Sequence, residues 1–328
     1  MPKDRAFSMR RKMKRRFLIT GAKGFVGKHL CRELAARGED FTCLVRSDPP
    51  MELPENYFGV DLSESADVRK VIKRLQPTHV VHLAASKDRS NDSLAFRDII
   101  EHNFTTSMNV IDACRDLVGF QKFIFLGTSD EYGSGVVPLH EGIRETPTTA
   151  YGISKLLTTR TLFGLFRQFG FPSVVLRPSV IYGPEQGHEM FLPALIGSLV
   201  KGKCFPMTTG EQQRDFVYVA DVVEAIIRSA ESDNAINGTP LNIGSGTSHQ
   251  IKKVAIDVAK LIAPDAIHLL GFGALPYRNS DLMRYEMSIK NAQEKLAWQP
   301  TTKLQHGLAM TVQFVMQQNA AEPDYVKL

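Results

Sequence analysis

The apolar run Phe17 to Ile19 leads directly into Thr-Gly-Ala-Lys-Gly-Phe-Val-Gly, which places glycines at 21, 24 and 27, and a segment of helical period begins there. Glycines spaced this way between a strand and a helix restrict the fold more than any other part of the chain. Gly21 permits a tight turn, Gly24 lets the backbone approach a pyrophosphate, and Gly27 allows close packing of helix on strand. The helix N-terminus then faces the phosphates. Lys23, Phe25 and Val26 complete the loop, so the chain is expected to open with a dinucleotide-binding β-α-β unit.

The text that follows keeps that rhythm as far as Pro178. Short β-branched or aromatic runs predict strands at Phe17 to Thr20, Phe41 to Val45, Tyr57 to Val60, His79 to Leu83, Phe123 to Leu126 and Val174 to Leu176. Helical periods fit between them at Val26 to Arg37, Ala66 to Leu75, Leu94 to Leu117 and Tyr151 to Phe169. Such alternation signals an α/β fold, a doubly wound parallel (Rossmann) sheet with ligands at the carboxyl ends of its strands. Beyond Pro178 the pattern breaks into Gly- and Pro-punctuated sequence. A helix at Val219 to Ser229 and a strand at Pro240 to Ile243 return to the sheet, and helices follow near Lys252 to Leu261 and Leu304 to Gln317. The predicted division is a basic disordered tail over 1–16, a nucleotide-binding domain over 17–178 plus about 216–246, and a smaller C-terminal α/β substrate domain over about 179–215 plus 247–328.

Charge narrows the class of partner. Residues 1–16 hold eight Lys or Arg against one acid, so the formal net charge of +5 belongs to the tail, and the body is mildly acidic. That balance argues against a nucleic-acid enzyme. No window approaches the length of a membrane span, and the basic leader lacks the apolar stretch of a secretory signal. Cys31, Cys43, Cys114 and Cys204 are scattered, with no metal-ligand spacing, and read as reduced thiols of a cytoplasmic protein without a metal.

The chemistry centres on Ala-Tyr-Gly-Ile-Ser-Lys, where Tyr151 and Lys155 stand four residues apart on one helix face. An ammonium beside a phenol favours the phenolate, which makes Tyr151 a usable acid or base. Thr128, at the end of a predicted strand, can bond the same substrate oxygen. At the end of the second strand, where an acid would hold the adenosine ribose of NAD, the chain reads Val45-Arg46. Arg46, helped by Lys23, suits a 2′-phosphate and favours NADP, with NAD possible if Asp48 bends back to the ribose. Arg214 offers a planar fork suited to a diphosphate, and Arg278 a second cation to share the charge. The plainer alternative makes Arg214 a structural partner of Asp215 or a neighbour.

With these residues in place, the chain resembles an extended short-chain dehydrogenase/reductase of the NAD-dependent epimerase/dehydratase family, from Phe17 to about Pro300. By that resemblance Asp61-Leu62 contacts adenine, and Leu83-Ala84-Ala85 after His82 lies beside the cofactor. Asn103 steadies the active-site helix and proton relay, and Thr128, Tyr151 and Lys155 form the Ser/Thr-Tyr-Lys triad. Arg214, within Gln213 to Val219, clamps a sugar-nucleotide diphosphate, and Arg278 with Leu296-Ala297-Trp298-Gln299-Pro300 completes the family's ending. Two positions depart from the pattern. Many sugar epimerases of the family hold substrate with Asn where this chain has Val180 and Met190. Asp130 stands where family 4,6-dehydratases carry a catalytic acid, with Glu131 beside it.

The leading expectation is an NAD(P)-dependent nucleotide-sugar epimerase or 4-ketoreductase. Three alternatives remain open: a 4,6-dehydratase using Asp130 or Glu131, a reductase of a non-sugar ketone, and a non-catalytic NAD(P)-binding protein. The resemblance also implies a homodimer through the helices of Asn103 and Tyr151, for which Leu156, Leu162, Phe163 and Phe166 are compatible.

Overall fold

The computed structural model describes residues 14–46, 54–86, 93–134, 136–277 and 282–321. Its first part holds β1 (Arg16–Thr20), α1 (Phe25–Ala36), β2 (Asp40–Val45), β3 (Tyr57–Gly59), α2 (Ser65–Leu75), β4 (His79–His82), α3 (Ser93–Arg115) and β5 (Lys122–Leu126). A short 3-10 turn at Ser129–Tyr132 precedes α4 (Ala150–Phe169) and β6 (Ser173–Pro178). Next come β7 (Val180–Tyr182), α5 (Phe191–Val200), β8 (Phe205–Met207), β9 (Gln213–Tyr218), α6 (Val219–Glu231) and β10 (Thr239–Ile243). The chain closes with β11 (Ser248–Gln250), α7 (Ile251–Ile262), β12 (Leu270–Phe272), α8 (Lys290–Leu296) and α9 (Leu304–Ala321).

Seven strands form a wholly parallel sheet in the order β10-β6-β5-β4-β1-β2-β3. The continuous apolar runs of its strands follow from coverage on both faces. Ile19, Cys43, Ile124 and Val174 face α1, α6 and α8, whereas Leu18, Leu44, Phe123 and Val175 face α2, α3 and α4. This doubly wound architecture is the one the alternating text predicts, and β10 returns to the sheet edge beside β6 as expected.

The region after Pro178 is more ordered than its sequence suggests. It contains β7, α5, β8 and β9, and β9 pairs with β7 in parallel and with β11 in antiparallel fashion. Three-residue strands are too short to show a period of two, and the Gly and Pro residues around them read as loop. Buried faces of α5, α7 and α9 pack under this small sheet through Leu195, Ile196, Val254, Val258, Leu308 and Val312. The end of the predicted tail is also revised: Arg16 begins β1, and Arg15 pairs with Glu39 and Glu231. Residues 1–13 of that tail lie outside the described residues. Among the described residues no helix is long and apolar enough to cross a membrane.

Candidate active site

A cavity of about 570 Å³ follows the carboxyl ends of the parallel strands. Its wall is made by what comes next in the chain after each one: Gly21 to Gly27 after β1, Arg46 after β2, Asp61 and Leu62 after β3. Leu83 to Ser86 after β4, Gly127 to Asp130 after β5, and Ser179 to Ile181 after β6 continue it, and Tyr151 and Lys155 of α4 close it. The strand ends thus collect into one cleft residues that are up to 169 positions apart in sequence, from Gly21 to Met190.

Backbone geometry shapes one end. Gly21 has φ +73°, and a Cβ there would lie 2.7 Å from the amide nitrogen of Ala84. A Cβ on Gly27 would lie 2.3 Å from the carbonyl oxygen of Gly21, so α1 packs on the turn itself and tolerates no side chain. Gly24 is the N-cap of α1 and brings no capping side chain, which leaves the first-turn N–H groups of the helix to a ligand or water. Lys23, Arg46 and Asp61 share this end of the cavity. The Asp61 carboxylate accepts from the Ser63 backbone N–H at 2.9 Å and hydroxyl at 2.7 Å. Those bonds, then the nearby Arg46 charge, hold its pKa below the usual carboxylate value. Asn109, which sequence reasoning passed over, fixes this corner by donating to the carbonyls of Leu62 and Ser63. Asp48 and Arg278 lie outside the described residues.

Side chains shape the other end. Lys155 is buried and its Nζ donates to the Leu126 carbonyl at 2.7 Å, which points the ammonium back toward the end of β5. The same Nζ lies 5.7 Å from the centroid of the Tyr151 ring and 4.6 Å from that of Phe125. Thr128 caps the 3-10 turn: its hydroxyl accepts from the Asp130 N–H at 3.2 Å, and its own N–H donates to Glu131 Oε1 at 3.0 Å. Asp130 is half-buried and lines the cavity with Thr128 and Tyr151.

Glu131 does not reach this site. Its side chain is fully buried and paired at 2.8 Å with Arg177 of β6, whose guanidinium also meets Glu145 at 2.8 Å. Burial pushes the Glu131 carboxyl pKa up against the opposing pull of Arg177. Burial works in the same sense on Glu145, but Arg177 and Arg160 carry that carboxyl below its usual range. The expectation that Glu131 serves as an alternative catalytic acid is therefore corrected: it holds the Thr128 turn from behind. A sequence signal existed, since Arg177 interrupts an otherwise apolar strand, and a cation there requires carboxylate partners.

Asn103 is likewise removed from the cavity wall. It is buried, its Oδ1 accepts from the Ser86 N–H at 2.7 Å, and its Nδ2 donates to the Ser86 carbonyl and to Ser154 Oγ at 3.0 Å. Ser154 in turn donates to the Tyr151 carbonyl at 2.8 Å. A second chain runs through His82, which is fully buried. Ser107 donates to the Asn103 carbonyl and therefore accepts from His82 Nε2–H, at 3.0 Å. His82 Nδ1 then accepts from the Thr20 hydroxyl at 2.8 Å, and Thr20 accepts from the Ala84 N–H. Burial, with the Lys155 charge, pushes the His82 pKa down to about 3 and keeps the ring neutral.

Arg214 stands on β9 and is not among the residues that line the cavity. Its Nη1 donates to the carbonyls of Gln213 at 2.9 Å and Leu282 at 2.5 Å. Asp215, beside it, is buried and accepts from Ser179, Ser245, Gly246 and Met287 rather than standing in the site. The segment ending in Pro300 is structural too: Trp298 Nε1 donates to the Asp221 carbonyl at 2.9 Å, and Thr301 donates to the Asp221 carboxylate.

The cavity runs from the glycine turn to Thr128, Tyr151 and Lys155, and comparison with known proteins places the chain in a family. Residues 17–244 match the profile of the NAD dependent epimerase/dehydratase family. The chain belongs to that family. It is accordingly an enzyme of the extended short-chain dehydrogenase/reductase type. A UDP-N-acetyl-α-D-glucosaminuronate decarboxylase of Bacillus cytotoxicus is 30% identical to this family member, with 92% of this chain and 98% of that protein aligned. The structure of a UDP-glucose 4-epimerase from Thermotoga maritima, solved with UDP-glucose, superposes with a TM-score of 0.83 at 25% identity, covering 94% of this chain and 100% of that one. A UDP-glucuronic acid 4-epimerase from Bacillus cereus, solved with UDP-glucuronic acid and NAD, gives 0.81 at 26% identity, covering 92% and 99%.

Proposed function

We propose that this enzyme is an NAD(P)-dependent nucleotide-sugar epimerase or 4-ketoreductase that moves a hydride at a sugar carbon, with Tyr151 as its proton relay. The observation that carries this reading is the gathering of Thr128, Tyr151 and Lys155 on the wall of the cavity that the glycine turn begins. The close packing at Gly21 and Gly27 sets the N-terminus of α1 against the glycine turn, and the cavity runs on from there to Tyr151, which fits a nicotinamide dinucleotide. When bound, that cofactor supplies the acceptance and donation of hydride. Tyr151 Oη takes the sugar hydroxyl proton or returns it, and the Lys155 ammonium beside the ring favours the phenolate form. Thr128 receives the Asp130 N–H on its oxygen and donates its own hydroxyl proton to the reacting oxygen.

Arg46 and Lys23 beside the adenosine end support NADP over NAD, although the Bacillus cereus relative was solved with NAD. The relatives that act on UDP-sugars support a nucleotide-sugar substrate. Asp130 on the same wall supports a second reading, elimination of water from a 4-ketosugar as in a 4,6-dehydratase. Exposed Phe96 on α3 and Leu157 on α4 support pairing of these helices in a homodimer, whereas Leu162 is buried within the protomer's own core. Four free thiols suit a reducing, cytoplasmic setting.

The test is a panel of UDP-, GDP-, CDP- and dTDP-sugars and their 4-keto forms, offered with each dinucleotide. Consumption of reduced cofactor marks a reductase, an isomeric product without net consumption marks an epimerase, and loss of water marks the dehydratase. No turnover of any nucleotide sugar, with a neutral ketone reduced instead, would overturn the proposal.

A further inference from the structure

Two thiols sit outside the catalytic machinery in a geometry that the mechanism does not use. Cys31 on α1 and Cys43 on β2 bring their Sγ atoms to 3.6 Å, with the Tyr57 side chain of β3 beside them. A disulfide needs about 2.05 Å, so the sulfurs must close by roughly 1.5 Å. The two thiols differ. Cys31 keeps 8% of its surface exposed, and its hydrogen bond with Cys43 lowers its pKa despite burial; Cys43 is sealed at 0%, with its pKa raised. The remaining cysteines supply an internal contrast. Cys114 is wholly buried and burial alone pushes its pKa up, and Cys204 is exposed.

We propose that Cys31 and Cys43 are a site of two-electron oxidation that closes to an intramolecular disulfide and weakens dinucleotide binding. The oxidant is a hydroperoxide. Cys31 thiolate attacks the terminal peroxide oxygen, the O–O bond breaks, and the leaving alkoxide departs protonated as an alcohol, or as water from hydrogen peroxide. Cys31 is then a sulfenic acid. Cys43 attacks its sulfur, the S–O bond breaks, and hydroxide leaves with the Cys43 proton as water. Two thiols and one hydroperoxide thus yield a disulfide, an alcohol and water.

The consequence for binding comes from position. Cys31 lies one helical turn beyond Gly27, and Cys43 lies two residues before Val45 and three before Arg46, all three in the cavity wall. Drawing α1 and β2 together moves the glycine turn against the strand end that would hold the adenosine. This effect rests on the dinucleotide reading of the cavity.

The experiment treats the reduced full chain with hydrogen peroxide, alkylates it, and maps unreduced peptides by mass, with dinucleotide affinity measured before oxidation, after it and after dithiothreitol. The expected result is a Cys31–Cys43 linked peptide, continued alkylation of Cys204, and a dissociation constant raised about fivefold or more and restored by the reductant. Cys43→Ser should stop the reaction at a Cys31 sulfenic acid that dimedone traps. Persistent alkylation of both thiols, or a linked peptide with unchanged affinity, would overturn the proposal. A reduced protein that binds no dinucleotide would count against the cofactor reading instead, and the peptide map would still decide whether the pair closes.

Discussion

The two ends of the cavity are built from different materials. At the glycine-turn end the wall is largely backbone: Gly21 and Gly27 are required because of what a Cβ would strike, and the exposed side chains there, Lys23 and Arg46, stand at the rim. At the Tyr151 end the wall is side chain, and it is held by buried polar residues behind it, Thr128 by Glu131 and Arg177, the Tyr151 helix by Ser154 and Asn103. A backbone wall tolerates changes at its rim but not an added methyl. A side-chain wall is as precise as the hydrogen bonds that support it, and it fails when one of them is removed.

The sharpest test of this contrast, and of the proposed relay, is Tyr151→Phe, which removes one oxygen at the Tyr151 end. Turnover should fall by about 10²–10⁴-fold, with the dinucleotide dissociation constant unchanged in a direct titration. Equal turnover would show that the relay lies elsewhere. Glu131→Ala should cost about 3–5 kcal/mol in urea unfolding, because it leaves Arg177 buried with part of its charge uncompensated. Loss of activity without loss of stability would return Glu131 to the catalytic role assigned against here.

At the backbone end, Gly27→Ala should cost about 1–3 kcal/mol as α1 is pushed off the turn, and dinucleotide binding should weaken with turnover at saturation little changed. Between the two ends, the neutral His82 ties Thr20 to Ser107. Its folded pKa of about 3 lies below the ordinary value of 6.5, so the unfolded chain takes up the proton first. Its contribution is complete above about pH 6.5 and is lost as pH falls toward 3. His82→Gln should flatten stability across that window in thermal melts, and an unchanged slope would mean that other groups govern it. The smallest effect expected is at the rim: Arg46→Ala should weaken NADP binding roughly tenfold, as for one charge-assisted hydrogen bond near solvent, and leave NAD binding alone.

Local patterning was sufficient for the parallel sheet, because continuous apolar strands alternating with amphipathic helices admit few other arrangements, and for the glycine turn and the Tyr-x-x-x-Lys helix, because each is a contiguous segment. It was also enough to name Thr128 as a candidate, since it follows a strand end, whereas Asp130 came only from the family resemblance. What tertiary structure alone decided is which polar groups meet across long intervals. Glu131 and Asp130 are adjacent in sequence, yet one is buried against Arg177, 46 residues away, and the other lines the cavity. Asn103 reads as a site residue, but 51 residues of chain had to fold before it met Ser154. Strands of three residues, such as β7 and β11, carry no period to read and owe their existence to the neighbour β9. Periodicity and local motifs belong to the covalent chain; burial, and with it the choice between a carboxylate that lines the cavity and one that supports its wall, belongs to the packed molecule.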